Sequence, residues 1–154
     1  MDELFAVISP AEKEKLTVIA ETAISLGYKV KKDAAKTLGY TFSHRKIKRR
    51  VLRFTLSRGK PVLKLSFFAA PEYSRYFDMA IKTVLEEFDF RYTGCYGCAK
   101  CDGSEGYRVT YPDGRSYFRC GSELIDLPDI ENLPLTECLH LLRAQHEYYL
   151  RKAA

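Results

Sequence analysis

The cysteine pattern Cys95-x2-Cys98-x2-Cys101-x18-Cys120 constrains the fold of this 154-residue chain more than any other feature. Residues 107–118, between the last two cysteines, carry the signature of a β-hairpin whose turn is Pro112-Asp113-Gly114. Because a hairpin returns the chain to its starting point, Cys120 is expected beside Cys101. Tight loops around a ligated sulfur require glycine, and glycines flank these thiols at positions 94, 97, 103 and 121.

Four thiolates that converge in this way form a tetrahedral ligand set for Zn²⁺, with Zn–S distances of about 2.3 Å. Residues 94–121 resemble a zinc ribbon, in which a hairpin joins two Cys-x2-Cys knuckles, although here three cysteines precede the hairpin and one follows it. The predicted ligands are Cys95, Cys98, Cys101 and Cys120. Since four thiolates leave no open coordination position for water, the zinc is expected to be structural and not catalytic.

Other uses of the thiols remain open from the sequence. An iron–sulfur cluster can use Cys-x2-Cys-x2-Cys with a remote cysteine, but that cysteine is usually close by and followed by proline, whereas Gly121 follows Cys120 here. A thioredoxin-like pair would need a Cys-x2-Cys that opens a helix after a strand. Cys138 is predicted to be a core residue of the last helix, with replacement of Cys95 or Cys101 as the alternative. Asp102 and Glu105 are interpreted as loop carboxylates.

Apolar spacing and end signals predict three helices. Ser9-Pro10-Ala11-Glu12 matches a capping box at the start of the first helix, and Gly27 suits its end. Pro71 is expected to open the second, with an apolar stripe that reaches Phe88. The predicted helices span residues 9–27, 71–88 and 135–152.

Alternation of apolar and polar residues predicts an antiparallel hairpin of strands 52–56 and 63–67 around a turn at 57–60. Residues 28–32 and 40–42 could add edge strands, and the segments Leu127-Pro and Leu133-Pro are expected to be loop. The order of elements indicates an α+β fold, an antiparallel sheet packed against helices, with a zinc-ribbon-like hairpin subdomain before the C-terminal helix. The expected division is residues 1–93, 94–122 and 123–154.

The acidic N-terminus lacks the features of a signal peptide, and no apolar run reaches the roughly 20 residues that cross a bilayer. A cytoplasmic location is therefore expected, where structural disulfides are uncommon and clustered cysteines favour metal or redox use. The chain as a whole resembles small bacterial α+β proteins with a cysteine module towards the C-terminus, a resemblance that implies no particular activity.

Positive charge is concentrated in the first part of the chain. Residues 1–70 contain 15 Lys/Arg against 6 Asp/Glu, and residues 71–154 contain 10 against 14. No acidic residue occurs between Asp33 and Glu72, and residues 43–53 alone contain six Lys/Arg. Such a surface attracts phosphate, so RNA, DNA or another polyanion is the expected partner. The predicted anion-binding residues are Arg45, Lys46, Lys48, Arg49, Arg50, Arg53 and Lys64.

Neighbouring side chains could support this surface. Thr55 and Ser66 are expected to add hydrogen-bond donors, and three aromatic rings could stack on bases: Tyr40, Phe42 and Phe68. An enzyme or binding protein for a small anionic metabolite, with a purely structural zinc, is the alternative.

No nucleophile and carboxylate can be placed beside any of the three histidines, and no Walker, GxGxxG or HExxH motif occurs. A binding module is therefore favoured over an enzyme, and no catalytic residue is predicted.

Overall fold

The computed structural model describes residues 1–66, 72–95, 105–121 and 123–154. Within these ranges an antiparallel five-stranded sheet of order β1-β2-β3-β4-β7, a two-stranded hairpin β5-β6 and four helices form an α+β fold. The predicted α+β fold, an antiparallel sheet packed against helices, is therefore confirmed, whereas the zinc-ribbon-like character of the hairpin subdomain stays a prediction. The helices are α1 (Asp2–Phe5), α2 (Pro10–Ser25), α3 (Arg75–Glu86) and α4 (Leu135–Lys152). The strands are β1 (Lys29–Lys32), β2 (Gly39–Ser43), β3 (Leu52–Ser57), β4 (Lys60–Leu65), β5 (Gly106–Thr110), β6 (Ser116–Cys120) and β7 (Ile125–Leu127).

The start of α2 has both halves of the predicted capping box. The Ser9 hydroxyl accepts a hydrogen bond from the Glu12 backbone N–H at 3.2 Å, and the Glu12 carboxylate accepts one from the Ser9 backbone N–H at 2.8 Å. After the helix, Gly27 takes a φ of +95°, the left-handed conformation that was expected there. Local sequence signals therefore determine both ends of this helix.

Register across the sheet places its large apolar side chains on one face. Two cross-strand rows traverse β2, β3, β4 and β7, and none of their side chains is more than 5% exposed. These rows join apolar residues of α2, α3, α4 and the β5-β6 hairpin in one core. The rows are Phe42-Leu52-Leu65-Ile125 and Tyr40-Phe54-Leu63-Leu127.

Helix α3 begins later than predicted. Glu72 lies before the helix, because Ser74 is the N-cap and accepts from the Phe77 N–H, while its own N–H donates to Glu137 of α4 at 2.9 Å. Pro71 lies outside the described residues. Phe88, predicted to be buried, is 70% exposed, since the helix ends at Glu86 and residues 88–90 take φ values of +51° to +60°.

Leu127, predicted to be loop, is the last residue of strand β7. Its three residues pair antiparallel with Leu63–Leu65 of β4 and so complete the sheet. A strand of this length is too short to show an alternating pattern of its own, and it forms because β4 offers a free edge. No helix in the described part of the chain is long and apolar enough to cross a membrane.

Candidate functional site

The connection between β2 and β3, residues 44–51, is here called the basic loop. It alternates between anchored and exposed side chains. Ile47 and Val51 are buried in the core, at 4% and 0% exposure, while His44 and Arg49 are partly buried. The remaining positions are exposed cations: Arg45, Lys46, Lys48 and Arg50. The packed residues fix the backbone and thereby hold the four cations at the surface.

His44 anchors the start of the basic loop. Its Nδ1 accepts hydrogen bonds from the backbone N–H groups of Lys46 and Ile47, at 3.2 and 3.3 Å, which places the proton of the neutral ring on Nε2. The ring also contacts Tyr28 and His146, with centroid distances of 5.1 and 5.4 Å. A Cβ on Gly27 would lie 3.0 Å from Nε2, so glycine at this position leaves room for the imidazole.

We expect His146 to make the folding stability of the protein depend on pH. Burial and, to a smaller extent, the proximity of His44 lower the pKa of His146 below its usual value, and its Nδ1 lies 3.3 Å from the Tyr28 hydroxyl. The unfolded chain therefore takes up a proton before the folded chain does as pH falls below about 6.5. We expect the free energy of unfolding to decrease between pH 7 and pH 5, and to decrease less in His146→Gln.

Urea titrations across this pH range measure the difference. His140→Gln is the matched control, because His140 lies on the same helix but is exposed. The interpretation fails if His146→Gln and the wild type lose stability in parallel.

Glu105 is the centre of a buried ionic cluster behind the basic loop. Its carboxylate is 2% exposed, accepts hydrogen bonds from the Tyr148 and Tyr149 hydroxyls at 3.2 and 3.1 Å, and lies 3.4 Å from Arg49 Nη2. Lys152 Nζ also donates to it. The hydrogen bond from Lys152 to Glu105 raises the pKa of that lysine. Glu105 thus ties the chain that leaves the cysteine segment to both the basic loop and the end of α4.

The sequence does not reveal this cluster, since it predicts only a loop carboxylate at Glu105. Its partners lie 56 and 47 positions away, at Arg49 and Lys152, so no local pattern joins them. One signal was available. Tyr148, Tyr149 and Lys152 fall within one turn near the C-terminal end of a predicted helix, where a cluster of donors can bind an acid.

An open groove borders the basic loop at this point. Its volume is about 440 Å³, and it lies between the loop and the C-terminal end of α4. Arg49 is 5.6 Å from the Tyr149 ring centroid, a cation–π contact that holds the guanidinium against the groove wall. The lining residues are Lys46, Ile47, Lys48, Arg49, Tyr149, Lys152 and Ala153.

Two predicted anion-binding residues on the sheet face have acidic partners. Arg53 Nε lies 2.8 Å from Asp33, and Lys64 Nζ lies 2.9 Å from Asp126. Burial raises the pKa of Asp33, but hydrogen bonds from Thr41 and Arg53 and nearby arginine charges outweigh this and keep it below its usual value. The acids that offset these two cations come from other parts of the chain, Asp33 directly after β1 and Asp126 in β7, whereas the four exposed cations of the basic loop form no ion pair with a described residue.

The predicted supporting side chains are not available at the surface. Thr55 is 6% exposed and donates to the Val62 carbonyl, and Ser66 is 2% exposed and donates to the Gly121 carbonyl. Tyr40 and Phe42 belong to the core rows, so the expectation that they stack on bases was wrong. Phe68 lies outside the described residues.

The β5-β6 hairpin pairs with the chain directly before the first cysteine of the pattern. Gly94 forms a parallel bridge with Arg119, and its N–H donates to the Phe118 carbonyl at 2.6 Å. Cys95 and Cys120 directly follow the two bridged residues. The predicted hairpin is confirmed, with Gly106 paired to Cys120 and the Tyr111–Arg115 turn closed by backbone hydrogen bonds.

The backbone around Cys120 is packed too closely for side chains. Gly106 takes a φ of +128°, and a Cβ there would lie 2.4 Å from the Arg119 carbonyl oxygen. A Cβ on Gly121 would lie 2.8 Å from the Gly106 nitrogen. Glycine at both positions lets the hairpin end approach the chain beside it, the close approach that a thiolate site needs.

Cys98 and Cys101 lie outside the described residues, so the four-cysteine ligand set stays a prediction. Among residues 1–66, 72–95, 105–121 and 123–154, no group of three or more His, Cys, Asp or Glu side chains could hold a metal ion. Cys138 is fully buried in the core, and burial raises the pKa of its thiol to about 12. It is therefore the core residue that the sequence favoured.

Comparison with known proteins assigns no family. No family model, curated protein or solved structure matches the chain.

Proposed function

We propose that this protein binds nucleic acid through the phosphate backbone, with the basic loop as its contact surface. One observation carries the proposal: Arg45, Lys46, Lys48 and Arg50 are exposed on an anchored loop and form no ion pair with any described residue. Two other predicted anion-binding residues, Arg53 and Lys64, are by contrast offset by Asp33 and Asp126. The loop is thus the favoured place for an external anion to supply the missing negative charge.

The energetic basis is the release of counterions from the nucleic acid when lysine and arginine neutralise its phosphates. Because Ile47, Val51 and His44 already fix the loop, little conformational entropy is lost on binding. With Tyr40 and Phe42 in the core, neither of these two described rings offers bases a stacking platform on the sheet. We therefore expect binding of RNA and DNA with little dependence on sequence.

Zinc has a structural role in this proposal. Cys95, Cys98, Cys101 and Cys120 would hold it, and the bridge between Gly94 and Arg119, the residues before Cys95 and Cys120, fits such a site. When bound, the metal would cross-link the two chain segments through thiolates and supply no catalytic chemistry. Glu105 then connects this segment to Arg49 of the basic loop.

The proposal predicts a large effect of charge removal on the basic loop. Changing Arg45, Lys46, Lys48 and Arg50 together to glutamine should weaken binding of a labelled 20-nucleotide RNA by about 30-fold at low salt, because four phosphate contacts are lost. Fluorescence anisotropy measures the dissociation constant. All four side chains are exposed, so circular dichroism should show an unchanged fold.

A matched variant controls for net charge. Glutamine at four other exposed positions removes the same charge outside the basic loop and should change the affinity less than threefold. The positions are Arg58, Lys60, Arg75 and Arg143. Equal weakening by the two variants would refute a localised site, and unchanged binding by the loop variant would refute the proposal.

A further inference from the structure

A second cavity lies away from the basic loop. It has a volume of about 530 Å³, is lined by α3, β4, β6 and β7 with the segments that flank β7, and includes no described residue of the basic loop. Sites for small molecules usually have volumes of about 300–1,000 Å³. The size of the cavity therefore suits a small ligand.

Two hydrogen-bond donors that line this cavity have no acceptor among the described residues. The first donor is Nε of Arg119, a residue that is only 9% exposed. The Nη1 atom of the same side chain donates to the carbonyls of Val84 and Tyr92, at 3.5 and 3.3 Å. Its Nε makes no hydrogen bond with any described residue. The buried Tyr76 hydroxyl also lacks an acceptor. Burial raises the pKa of Tyr76 well above its usual value, so this hydroxyl keeps its proton. Buried donors of this kind are costly unless an acceptor reaches them.

The rest of the lining combines an apolar wall with an excess of acid. Met79, Ala80 and Val84 supply apolar surface from α3. Four carboxylates line the cavity against two cations, Lys64 and Arg119. Both cations already lie near an acid: Lys64 is paired with Asp126, and Arg119 Nη2 lies 3.9 Å from Glu123. A simple anion would meet net negative charge here, whereas a ligand with both an acceptor group and a positive charge would satisfy both parts of the lining.

We propose that this cavity binds a small zwitterion with an apolar body, of the chemical class of the apolar α-amino acids. Its carboxylate accepts hydrogen bonds from Arg119 Nε and the Tyr76 hydroxyl. Its ammonium group is balanced by the surplus acids of the lining, among them Glu87 and Asp129, and its side chain contacts Ala80 and Met79. This site is independent of nucleic-acid binding, so either proposal can fail alone.

Isothermal titration calorimetry with L-leucine and L-phenylalanine tests the proposal. At least one should bind saturably, with a dissociation constant of about 1 mM or lower. Two analogues test the two charged groups: 4-methylpentanoate lacks the ammonium group, and 3-methylbutylamine lacks the carboxylate. Both should bind at least tenfold more weakly than L-leucine. No saturable binding of either amino acid up to about 10 mM would overturn the proposal, and equal binding of either analogue would overturn the zwitterionic assignment.

Two variants locate the binding in this cavity. Tyr76→Phe removes only a hydroxyl without an acceptor, so it should fold normally and weaken binding about 3- to 10-fold. Ala80→Phe fills the cavity and should abolish binding. Tyr111→Phe removes a hydroxyl outside the cavity, one that donates to Glu86, and should bind like the wild type. Wild-type affinity in Tyr76→Phe would overturn the site even if Ala80→Phe failed to fold.

Discussion

Replacing Cys98 or Cys120 with serine is expected to remove zinc from the protein and to unfold the hairpin that ends at Cys120. Zinc binding and folding are coupled in structural sites, where the apparent binding free energy is of the order of 10 kcal/mol. The wild type should contain about one zinc per chain by elemental analysis. Each variant should contain less than a tenth of that and should show a lower midpoint of thermal unfolding.

Cys138→Ser is the matched control for these variants. It makes the same chemical change at a fully buried thiol that belongs to the core and is not a predicted ligand. It should cost folding stability, because a hydroxyl replaces a buried thiol, but it should keep one zinc per chain. Full zinc content in Cys98→Ser would show that the predicted ligand set is wrong.

An optical spectrum of the same wild-type preparation separates zinc from the iron–sulfur alternative. A four-thiolate zinc site leaves the protein colourless, whereas an iron–sulfur cluster makes it brown. We expect no visible absorption and no stoichiometric iron.

Glu105→Gln is expected to lower the free energy of unfolding by about 2–4 kcal/mol. Breaking a buried ionic cluster by the loss of one charge is strongly destabilising, since the remaining groups lose their counter-charge. Arg49 and Lys152 are partly exposed, at 23% and 37%, so they can regain water, and this keeps the expected loss below that of a fully buried cluster. Urea titration at pH 7 measures the change.

Glu14→Gln provides the comparison, because Glu14 is exposed on α2 and its substitution should change stability by no more than about 0.5 kcal/mol. A double variant with Lys152→Met tests the pairing itself. If Glu105 and Lys152 act together, the two losses should not add. Additive losses, or a Glu105→Gln variant as stable as the wild type, would contradict the cluster.

Elements with complete local signals could be predicted from the sequence. Helix α2 follows from its capping box and Gly27, and the β3-β4 hairpin follows from strict alternation on both sides of a tight turn. Helix α4 has the predicted bounds, 135–152. In these segments the free energy of the local conformation and that of core burial favour the same structure.

The features that were missed depend on partners far along the chain. Helix α3 starts at Arg75, where Ser74 is the N-cap, and the Ser74 N–H is bound by Glu137 of another helix. Strand β7 exists because β4 has an edge to pair with. No periodicity in a short segment carries such information, so the spacing of apolar residues placed the start of α3 too early and did not reveal β7.

The candidate site also combines features that local sequence predicts with features that depend on distant residues. The sequence identified the exposed cations of the basic loop correctly as a concentration of positive charge. It could not show that Arg49, Arg53 and Lys64 are offset by acids on distant segments, Glu105, Asp33 and Asp126. Charge density is visible in a sequence, but charge compensation is a property of the fold.

The central claim is that the four exposed cations of the basic loop bind phosphates, and salt dependence tests it most directly. The dissociation constant for a 20-base-pair DNA duplex would be measured from about 50 to 300 mM salt, for the wild type and the four-glutamine loop variant. Each neutralised phosphate contributes about −0.9 to the slope of log K against log salt concentration. The wild-type slope should therefore be steeper than that of the variant by about 3 to 4. Equal slopes for the two proteins, or wild-type binding that does not depend on salt, would contradict the claim.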